Sequence, residues 1–292
     1  MHNFETNYEK ISEVLLTLGI PEAFLKQIRK PKLSDRELMG INLTAEYMGI
    51  DSEHQLFRVL PEPISSRIDR SVYNRRKRKL FAFMEQIRQQ LSERFNSQEE
   101  YYIVDSMPLE VCKLSRSSRS KICKDQSHSS PDKGYCASQA SSYYGYKLHA
   151  VCSVKGVFKS LDISPASVHD IHYLKDIKAQ MADCTLIGDK GYLSSQWQLD
   201  LFNSCNIKLN TPMRSNQKGV RPQPYLFKKC RKRIETLFSQ LCDQFMIRRN
   251  YAKTFSGFKT RILSKITALT VVQFLNHFVF NRNLNIIKIN LH

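Results

Sequence analysis

From residue 101 onward, short apolar runs of strand length alternate with segments of helical periodicity. The runs that predict strands lie at 101–104, 146–154, 157–163, 185–188 and 207–209. The segments that predict helices lie at 168–181, 194–203, 231–247 and 255–281. The second and third strands are separated by Lys155-Gly156 and predict a hairpin. This order predicts an α/β fold in which helices flank a mixed sheet.

Residues 1–98 have the pattern of an all-α domain that precedes this sheet. Ser34 and Glu37 have capping-box spacing, and apolar residues follow them at helical intervals. The polar joint 96–100 is the predicted boundary, which divides the chain into domains 1–98 and 99–292. The segment 113–142 is rich in Ser, Lys and Arg, and its composition predicts a long loop inside the second domain.

The net charge of the chain indicates the chemical class of its partner. Lys and Arg total 45 against 27 Asp and Glu, which gives +18. Between residues 205 and 265 there are fifteen Lys or Arg and only two acids, Glu235 and Asp243. Such an excess favours a polyanion such as nucleic acid, because neutralised phosphates release counterions. The alternative is a basic surface that serves only solubility.

Two groups of basic residues are candidates for DNA contact. The first lies in the predicted helical domain and consists of Arg75, Arg76, Lys77 and Arg78. A basic helix of this kind suits contact with the DNA backbone, in an arrangement that resembles a helix-turn-helix, or it forms the solvated face of a helical bundle. The second group lies in a Pro-containing loop and consists of Arg214, Lys218 and Arg221.

Three acids stand where a metal-dependent enzyme would need them. Asp105 follows the strand 101–104, Asp189 follows the strand 185–188 in a Gly-flanked turn, and Glu235 lies on a basic helix. Individually such acids are ordinary turn formers or salt-bridge partners. Together on this basic chain they predict phosphodiester chemistry with two Mg²⁺ ions roughly 3.5–4 Å apart. Arg231, on the same helical face as Glu235, would then orient that carboxylate or contact a phosphate. Lys190 would contact a phosphate or form a salt bridge.

Other chemistry-bearing residues have less specific interpretations. Asp170 in the pair His169-Asp170 is either a helix cap or a general base, and the cap is favoured. His149 on its strand is expected to be packed or hydrogen-bonded. The apolar segment 262–280 contains Lys265 and predicts a buried amphipathic helix, since no run reaches the roughly 18 apolar residues of a membrane span. The eight cysteines have irregular spacing and predict reduced thiols rather than a zinc site.

Five short motifs, in this order along the chain, resemble those of bacterial insertion-sequence transposases of the DDE type. They are Asp-Ser-Met-Pro at 105–108, Tyr-Lys-Leu-His at 146–149, Val-His-Asp at 168–170, Gly-Asp-Lys-Gly-Tyr at 188–192 and Arg-x-x-Ile-Glu at 231–235. The similarity extends over nearly the whole chain and is greatest to the insertion-sequence family labelled nine-eight-two.

The resemblance implies an RNase H-like core with a divalent-metal triad at Asp105, Asp189 and Glu235. It implies two Mg²⁺ ions, with Mn²⁺ as a substitute, and cleavage at the element's ends followed by strand transfer into target DNA. The expected partners are double-stranded terminal inverted repeats and target DNA, with a homodimer in the synaptic complex. The expected location is the bacterial cytoplasm at the nucleoid, without a membrane. Relatives carry Tyr and Lys where this chain has Lys228 and Cys242, so only Arg231 of that wider signature is present.

Two other functions remain open at this point. One is a DNA nuclease with the same core that hydrolyses DNA without strand transfer. The other is a DNA-binding protein in which the three acids are structural.

Overall fold

The computed structural model describes residues 4–26, 28–213, 224–288 and 291. The chain forms two compact units, one made of Met1–Ser92 with Gln240–His292 and the other of Glu93–Ser239. The sequence boundary at residue 98 lies near the first junction, but residues 240–292 group with the N-terminal helices and not with the sheet. The assignment of a separate function to each domain stays a prediction.

The first unit is helical. Its helices are α1 (Phe4–Thr17), α2 (Asp35–Tyr47), α3 (Glu53–Val59), α4 (Glu62–Ser65), α5 (Arg70–Lys79), α6 (Phe81–Asn96, which ends in the second unit) and α10 (Phe255–Phe274, with a π turn at Leu275–Val279). The predicted capping box is confirmed at the start of α2: the Glu37 amide donates to Ser34 Oγ (3.1 Å), and the Ser34 amide donates to Glu37 Oε2 (2.7 Å).

Helix α10 is the central helix of the first unit and is buried nearly all round. Its Ser264 hydroxyl accepts from Asn42 of α2 (2.7 Å), and Lys265 Nζ donates to Glu46 Oε2 on the same helix α2 (2.5 Å). The prediction of a buried helix is confirmed, but its amphipathic character is wrong, because the polar residues of α10 are also buried and find partners inside the unit. Among the described residues, the stretch Phe255–Val279 is the one helix long and apolar enough to cross a membrane, yet 83% of its most apolar window is buried.

The second unit is built on a six-stranded mixed sheet. Its strands are β1 (Tyr101–Cys112), β2 (Asp132–Cys136), β3 (Ser141–Ser153), β4 (Phe158–Pro165), β5 (Thr185–Ile187) and β6 (Lys208–Asn210). The order is β2-β3-β1-β5-β6, with β4 also paired to β3. Pairing is antiparallel among β1, β2, β3 and β4, and parallel from β1 through β5 to β6. The predicted hairpin is confirmed by the β3–β4 pairing, and Gly156 adopts a φ of 93° at its turn.

Strand β1 is longer than the sequence predicts. It continues past residue 104 to Cys112, so Asp105 lies within the strand and not at its end. The reason is that Met107 and Leu109 continue the alternation of buried residues, and β3 pairs with this whole stretch. The parallel ladder with β5, in contrast, stops at Ile103↔Ile187. Asp105 therefore lies just beyond the part of β1 that β5 covers.

Helices cover both faces of the sheet, as predicted. On one face, Val104 and Val151 join a buried cluster with Leu174 and Ile177 of α7 (Leu174–Gln180). Leu201 of α8 (Ser195–Cys205) belongs to the same cluster. On the opposite face the Phe158 ring stacks on Phe238 of α9 (Tyr225–Asp243), with ring centroids 6.4 Å apart. Ile103 lies on this second face because Cys152, its partner on β3, lies directly beside Phe158.

The predicted loop 113–142 contains regular structure. Strand β2 lies within it, and short 3-10 turns occur at Leu114–Arg116 and Ser127–Ser129. Helix α9 also begins six residues earlier than the predicted start at 231. The predicted helix 168–181 is divided into a 3-10 turn, Asp170–Tyr173, and α7.

Candidate active site

Two of the three predicted acids are brought together by the pairing of neighbouring parallel strands. Ile103 on β1 pairs with Ile187 on β5, and each is followed two residues later by an aspartate, Asp105 and Asp189. Equivalent positions on adjacent parallel strands have side chains on the same side of the sheet. The two carboxylates therefore emerge next to each other at the carboxyl end of the parallel ladder.

The electrostatics of Asp105 reflect this arrangement. The pKa of Asp105 is raised to about 7, first because the carboxyl group is largely removed from water and then because the Asp189 and Asp170 carboxylates repel its charge. The Ser106 amide, which donates to Asp105 Oδ1 (2.8 Å), and the Arg231 guanidinium act in the opposite direction. The protein's own cations therefore do not offset the burial and repulsion that disfavour a negative charge on Asp105.

Asp189 is held by the turn that follows it. Its Oδ1 accepts a hydrogen bond from the Gly191 amide (2.7 Å), which caps the 3-10 turn Lys190–Tyr192. A Cβ atom at Gly191 would lie 2.9 Å from this Oδ1 and 3.7 Å from Asp170 Oδ2. A side chain at residue 191 would therefore push the Asp189 carboxylate out of this position.

The third predicted acid lies on α9, which packs on the face that Ile103 and Asp105 share. Glu235 is exposed, and Arg231 stands one turn before it. Arg231 lies close enough to Asp105 to lower its pKa. Within the described part of the chain, no three His, Cys, Asp or Glu side chains converge as a group that could hold a metal ion. Among the described residues, Glu235 is thus not part of such a group.

The donor chemistry of the pair nevertheless fits the divalent cation that the resemblance implies. Mg²⁺ prefers carboxylate oxygens and keeps several of its waters, so a few carboxylates suffice. A cation beside Asp105 and Asp189 would offset the repulsion that raises the Asp105 pKa. Glu235, one helical turn from Arg231, is the remaining acid of the predicted triad that could complete the ligand set.

Asp170 has a different role from the helix cap favoured by the sequence. The cap of the 3-10 turn Asp170–Tyr173 is His169, whose Nδ1 accepts from the Ile171 amide (3.2 Å). Asp170 instead accepts a hydrogen bond from Lys147 Nζ (3.0 Å). The cap prediction is wrong because Asp170 lies one residue too late in the turn, and a lysine on β3 reaches its carboxylate.

His149 is packed and hydrogen-bonded, as predicted. Its Nε2 lies 2.7 Å from Ser164 Oγ, and its ring stacks on Tyr173 with centroids 5.2 Å apart. Burial lowers the pKa of His149 to about 4, although the Asp170 carboxylate acts to raise it. His149 is therefore neutral at physiological pH. This cluster beside Asp189 was not recognised from the sequence as a unit, although the motifs at 146–149 and 168–170 carry its members.

The candidate phosphate contacts of this unit differ in their exposure to solvent. Lys190 is exposed at the start of the turn after Asp189, and Arg231 is half-buried on α9. The predicted contacts Arg214, Lys218 and Arg221 lie outside the described residues.

In the first unit, the basic cluster of α5 is divided between the interior and the surface. Arg76 is buried and donates to Asp35 Oδ1 (2.6 Å) and to the Leu33 carbonyl (2.8 Å), so we leave it out of the proposed DNA contacts. Lys77 pairs with Glu53 (2.8 Å). Arg75 is exposed and Arg78 is half-buried. These side chains lie on different faces of α5, because residues adjacent in sequence point about 100° apart on a helix.

The family comparison covers the sheet and the helices that flank it. The family model described as "Transposase DDE domain" matches residues 96–271, which is more than half of the chain. No individual curated protein matches the chain. The mixed sheet with helices on both faces and the preceding all-α region agree with the predicted RNase H-like α/β fold, while membership of the family labelled nine-eight-two stays a prediction. The extent of the match, over a unit that places Asp105 beside Asp189, shows that the chain belongs to the transposase DDE domain family.

Proposed function

We propose that this protein cuts DNA at the ends of an insertion sequence and joins the freed 3′-OH ends to target DNA. The observation that carries the proposal is that Asp105, on β1, lies beside Asp189, which follows the adjacent parallel strand β5, within the part of the chain that matches the transposase family. Acids that only stabilise a fold are normally paired with cations, which lower the pKa of the acid. The pKa of Asp105 is raised instead, although Arg231 acts to lower it.

In this proposal Asp105, Asp189 and Glu235 hold two Mg²⁺ ions, for which Mn²⁺ can substitute. The bound ions would supply an activated water for hydrolysis and neutralise the charge that develops on the leaving oxygen. The chain's own residues position these ligands: the Ser106 amide orients Asp105 and the Gly191 amide orients Asp189. We assign contacts with phosphates of the bound DNA to Arg231 and to Lys190, which is exposed.

The proposed partners are the double-stranded terminal inverted repeats and the target DNA. Recognition of the repeats is assigned to the helical residues 1–98, with Arg75 and Arg78 as the backbone contacts of α5 that remain available. Two ends must be brought together before joining, so we propose a homodimer in the synaptic complex. We place the protein in the bacterial cytoplasm, at the nucleoid, where its DNA substrates are.

Strand transfer separates the transposase from a nuclease with the same core. The substrate is a pair of duplexes taken from the DNA on both sides of the gene, incubated with the full chain, Mg²⁺ and a supercoiled target plasmid. A transposase yields plasmid molecules joined to donor 3′ ends. Cut donor ends without joined products would favour hydrolysis alone. Binding without any cleavage would indicate that the acids are structural.

Replacing Gly191 by alanine should reduce cleavage about 10–100-fold, because a displacement of about 1 Å at a reacting centre can cost this much. The new Cβ would lie 2.9 Å from Asp189 Oδ1 and force that carboxylate to move. The backbone amide that caps the turn is retained, so the thermal midpoint should change little. Initial cleavage rates of Gly191→Ala and wild type measure the effect. Equal rates would show that the Asp189 position does not control the chemistry.

A further inference from the structure

The segment between β1 and β2, residues 113–131, presents a row of cations to solvent. We call it the basic segment. It contains one acid, Asp125, and the following five cations, all of which are exposed: Lys113, Arg116, Arg119, Lys121 and Lys124. The segment also contains seven serines, four of which lie between these cations. We propose that the basic segment binds the phosphate backbone of the DNA duplex that flanks the cleaved bond, an inference that rests on the proposed function.

The basic segment is fixed to the sheet by buried residues. Cys123 is fully buried, and Ser117 and Ser129 are nearly so. The hydroxyl of Tyr146, on β3, donates to the Ser129 carbonyl (2.7 Å). Because buried residues alternate with the exposed cations, the segment holds its positive charges in a defined arrangement. This pre-organisation reduces the entropy lost on binding a ligand with regularly spaced charges.

Among the residues that the structure describes, the cations of the basic segment form no ion pairs. Elsewhere in the same unit, Lys147 pairs with Asp170, Lys155 with Glu99 and Lys178 with Asp200. Within the described part of the chain, none of Lys113, Arg116, Arg119 or Lys121 has an acidic partner; Lys124 lies over the Tyr144 ring (5.8 Å). Charges that the fold leaves unpaired in one stretch are available to an external polyanion.

The position of the basic segment relative to Asp105 defines which part of the DNA it would reach. Strand β1 runs without a break from Asp105 to Cys112, where the segment begins. Eight residues at about 3.3 Å each span about 26 Å, which corresponds to about 8 base pairs at about 3.4 Å per step. The segment also leaves β1 at the carboxyl end, toward which β5 delivers Asp189. A duplex cut at Asp105 would thus meet the segment about 8 base pairs from the cleaved bond.

The chemistry of the segment points to phosphates and not to bases. Arg, Lys and Ser side chains are typical phosphate contacts, and the segment contains no Phe, Tyr or Trp that could stack on a base. Binding through it should therefore be independent of sequence and sensitive to salt. Each neutralised phosphate contributes about 0.9 to the slope of log affinity against log salt concentration.

The test compares two full-length variants that each lose four positive charges. The first carries Lys113→Gln, Arg116→Gln, Arg119→Gln and Lys121→Gln. The matched control carries Lys175→Gln, Lys208→Gln, Lys253→Gln and Lys288→Gln, all at exposed positions outside both the basic segment and residues 1–98. Binding is measured without metal by fluorescence anisotropy, over a series of KCl concentrations, on duplexes extended in steps from the element's end.

Wild type and control should gain at least tenfold in affinity once the flank exceeds about 8 base pairs, and the basic-segment variant should lose this gain. Its salt slope should fall by about 3–4, as expected for the loss of about four phosphate contacts. Two half variants, Lys113→Gln with Arg116→Gln and Arg119→Gln with Lys121→Gln, should each lose about half the slope and guard against misfolding of the fourfold variant.

Equal slopes and equal flank dependence in the basic-segment variant and the control would overturn the inference. Cleavage by wild type in Mg²⁺, measured separately, distinguishes this failure from failure of the proposed function. Flank-dependent binding without cleavage would leave the inference standing and refute the proposed function. Cleavage with equal slopes would refute the inference and leave the proposed function standing.

Discussion

Asp189→Asn is expected to reduce DNA cleavage more than about a hundredfold, since even an outer partner of a metal ligand costs about 10–100-fold when removed. The substitution removes the negative charge but keeps an oxygen that can accept the hydrogen bond from the Gly191 amide. The turn Lys190–Tyr192 should therefore persist. Loss of the Asp189 charge also relieves the repulsion that helps to raise the Asp105 pKa, so the folded state should not be destabilised.

Cleavage rates in Mg²⁺ and DNA affinity without metal are both needed to interpret Asp189→Asn. Affinity for the element's ends should remain within about threefold of wild type, because phosphate contacts dominate binding. Asp176→Asn is the matched control, since Asp176 is an exposed acid of the same unit on α7. Unchanged cleavage in Asp189→Asn would mean that the acid is structural and that the proposed metal site is wrong.

Lys265→Met is expected to lower the free energy of unfolding by about 3–5 kcal/mol, the usual effect of removing one partner from a buried ion pair. Lys265 is fully buried, and its Nζ donates to Glu46 Oε2 (2.5 Å) and to the Phe245 carbonyl (2.6 Å). Methionine fills a similar volume but leaves the Glu46 carboxylate in the interior, where Arg261, 3.8 Å away, is its remaining ionic partner among the described residues. Two buried oxygens thus lose a strong donor.

Urea unfolding followed by circular dichroism measures this effect. The control is Lys253→Met, at an exposed position just before α10, which should change stability by less than about 0.5 kcal/mol. The double variant Lys265→Met with Glu46→Leu should recover part of the loss, because both charges of the pair are then absent. A loss below about 1 kcal/mol for Lys265→Met alone would show that the pair is not a significant stabilising contact.

The sequence predicts the strands and helices of the second unit other than β2, because their signals are local. The hairpin at Lys155-Gly156 and the capping box at Ser34 depend on residues a few positions apart, and both are confirmed. The extension of β1 beyond Asp105 was missed, because it depends on pairing with β3, whose residues lie about forty positions later in the chain. Non-local pairing of this kind leaves little trace in the composition of a short run.

The side-chain environment of charged residues is the part that sequence patterns describe least well. Arg76 belongs to a basic run, but it is buried and forms an ion pair with Asp35 on another helix of the same unit. Aspartate commonly caps helices, but Asp170 instead accepts a hydrogen bond from Lys147 on β3. Residues 240–292 follow the sheet in sequence and still group with the N-terminal helices, since α10 supplies buried partners such as Lys265 to α2. Each outcome depends on a partner that is distant in sequence.

Metal-directed cleavage of the polypeptide tests most directly whether Asp105, Asp189 and Glu235 hold the same ions. Fe²⁺ replaces Mg²⁺ in the full chain bound to end DNA, and ascorbate with peroxide then cuts the backbone beside the bound metal. We predict fragments that end near residues 105, 189 and 235, and we expect excess Mg²⁺ to suppress all three. Cuts near 105 and 189 without one near 235, or cuts at none of them, would contradict the proposed triad.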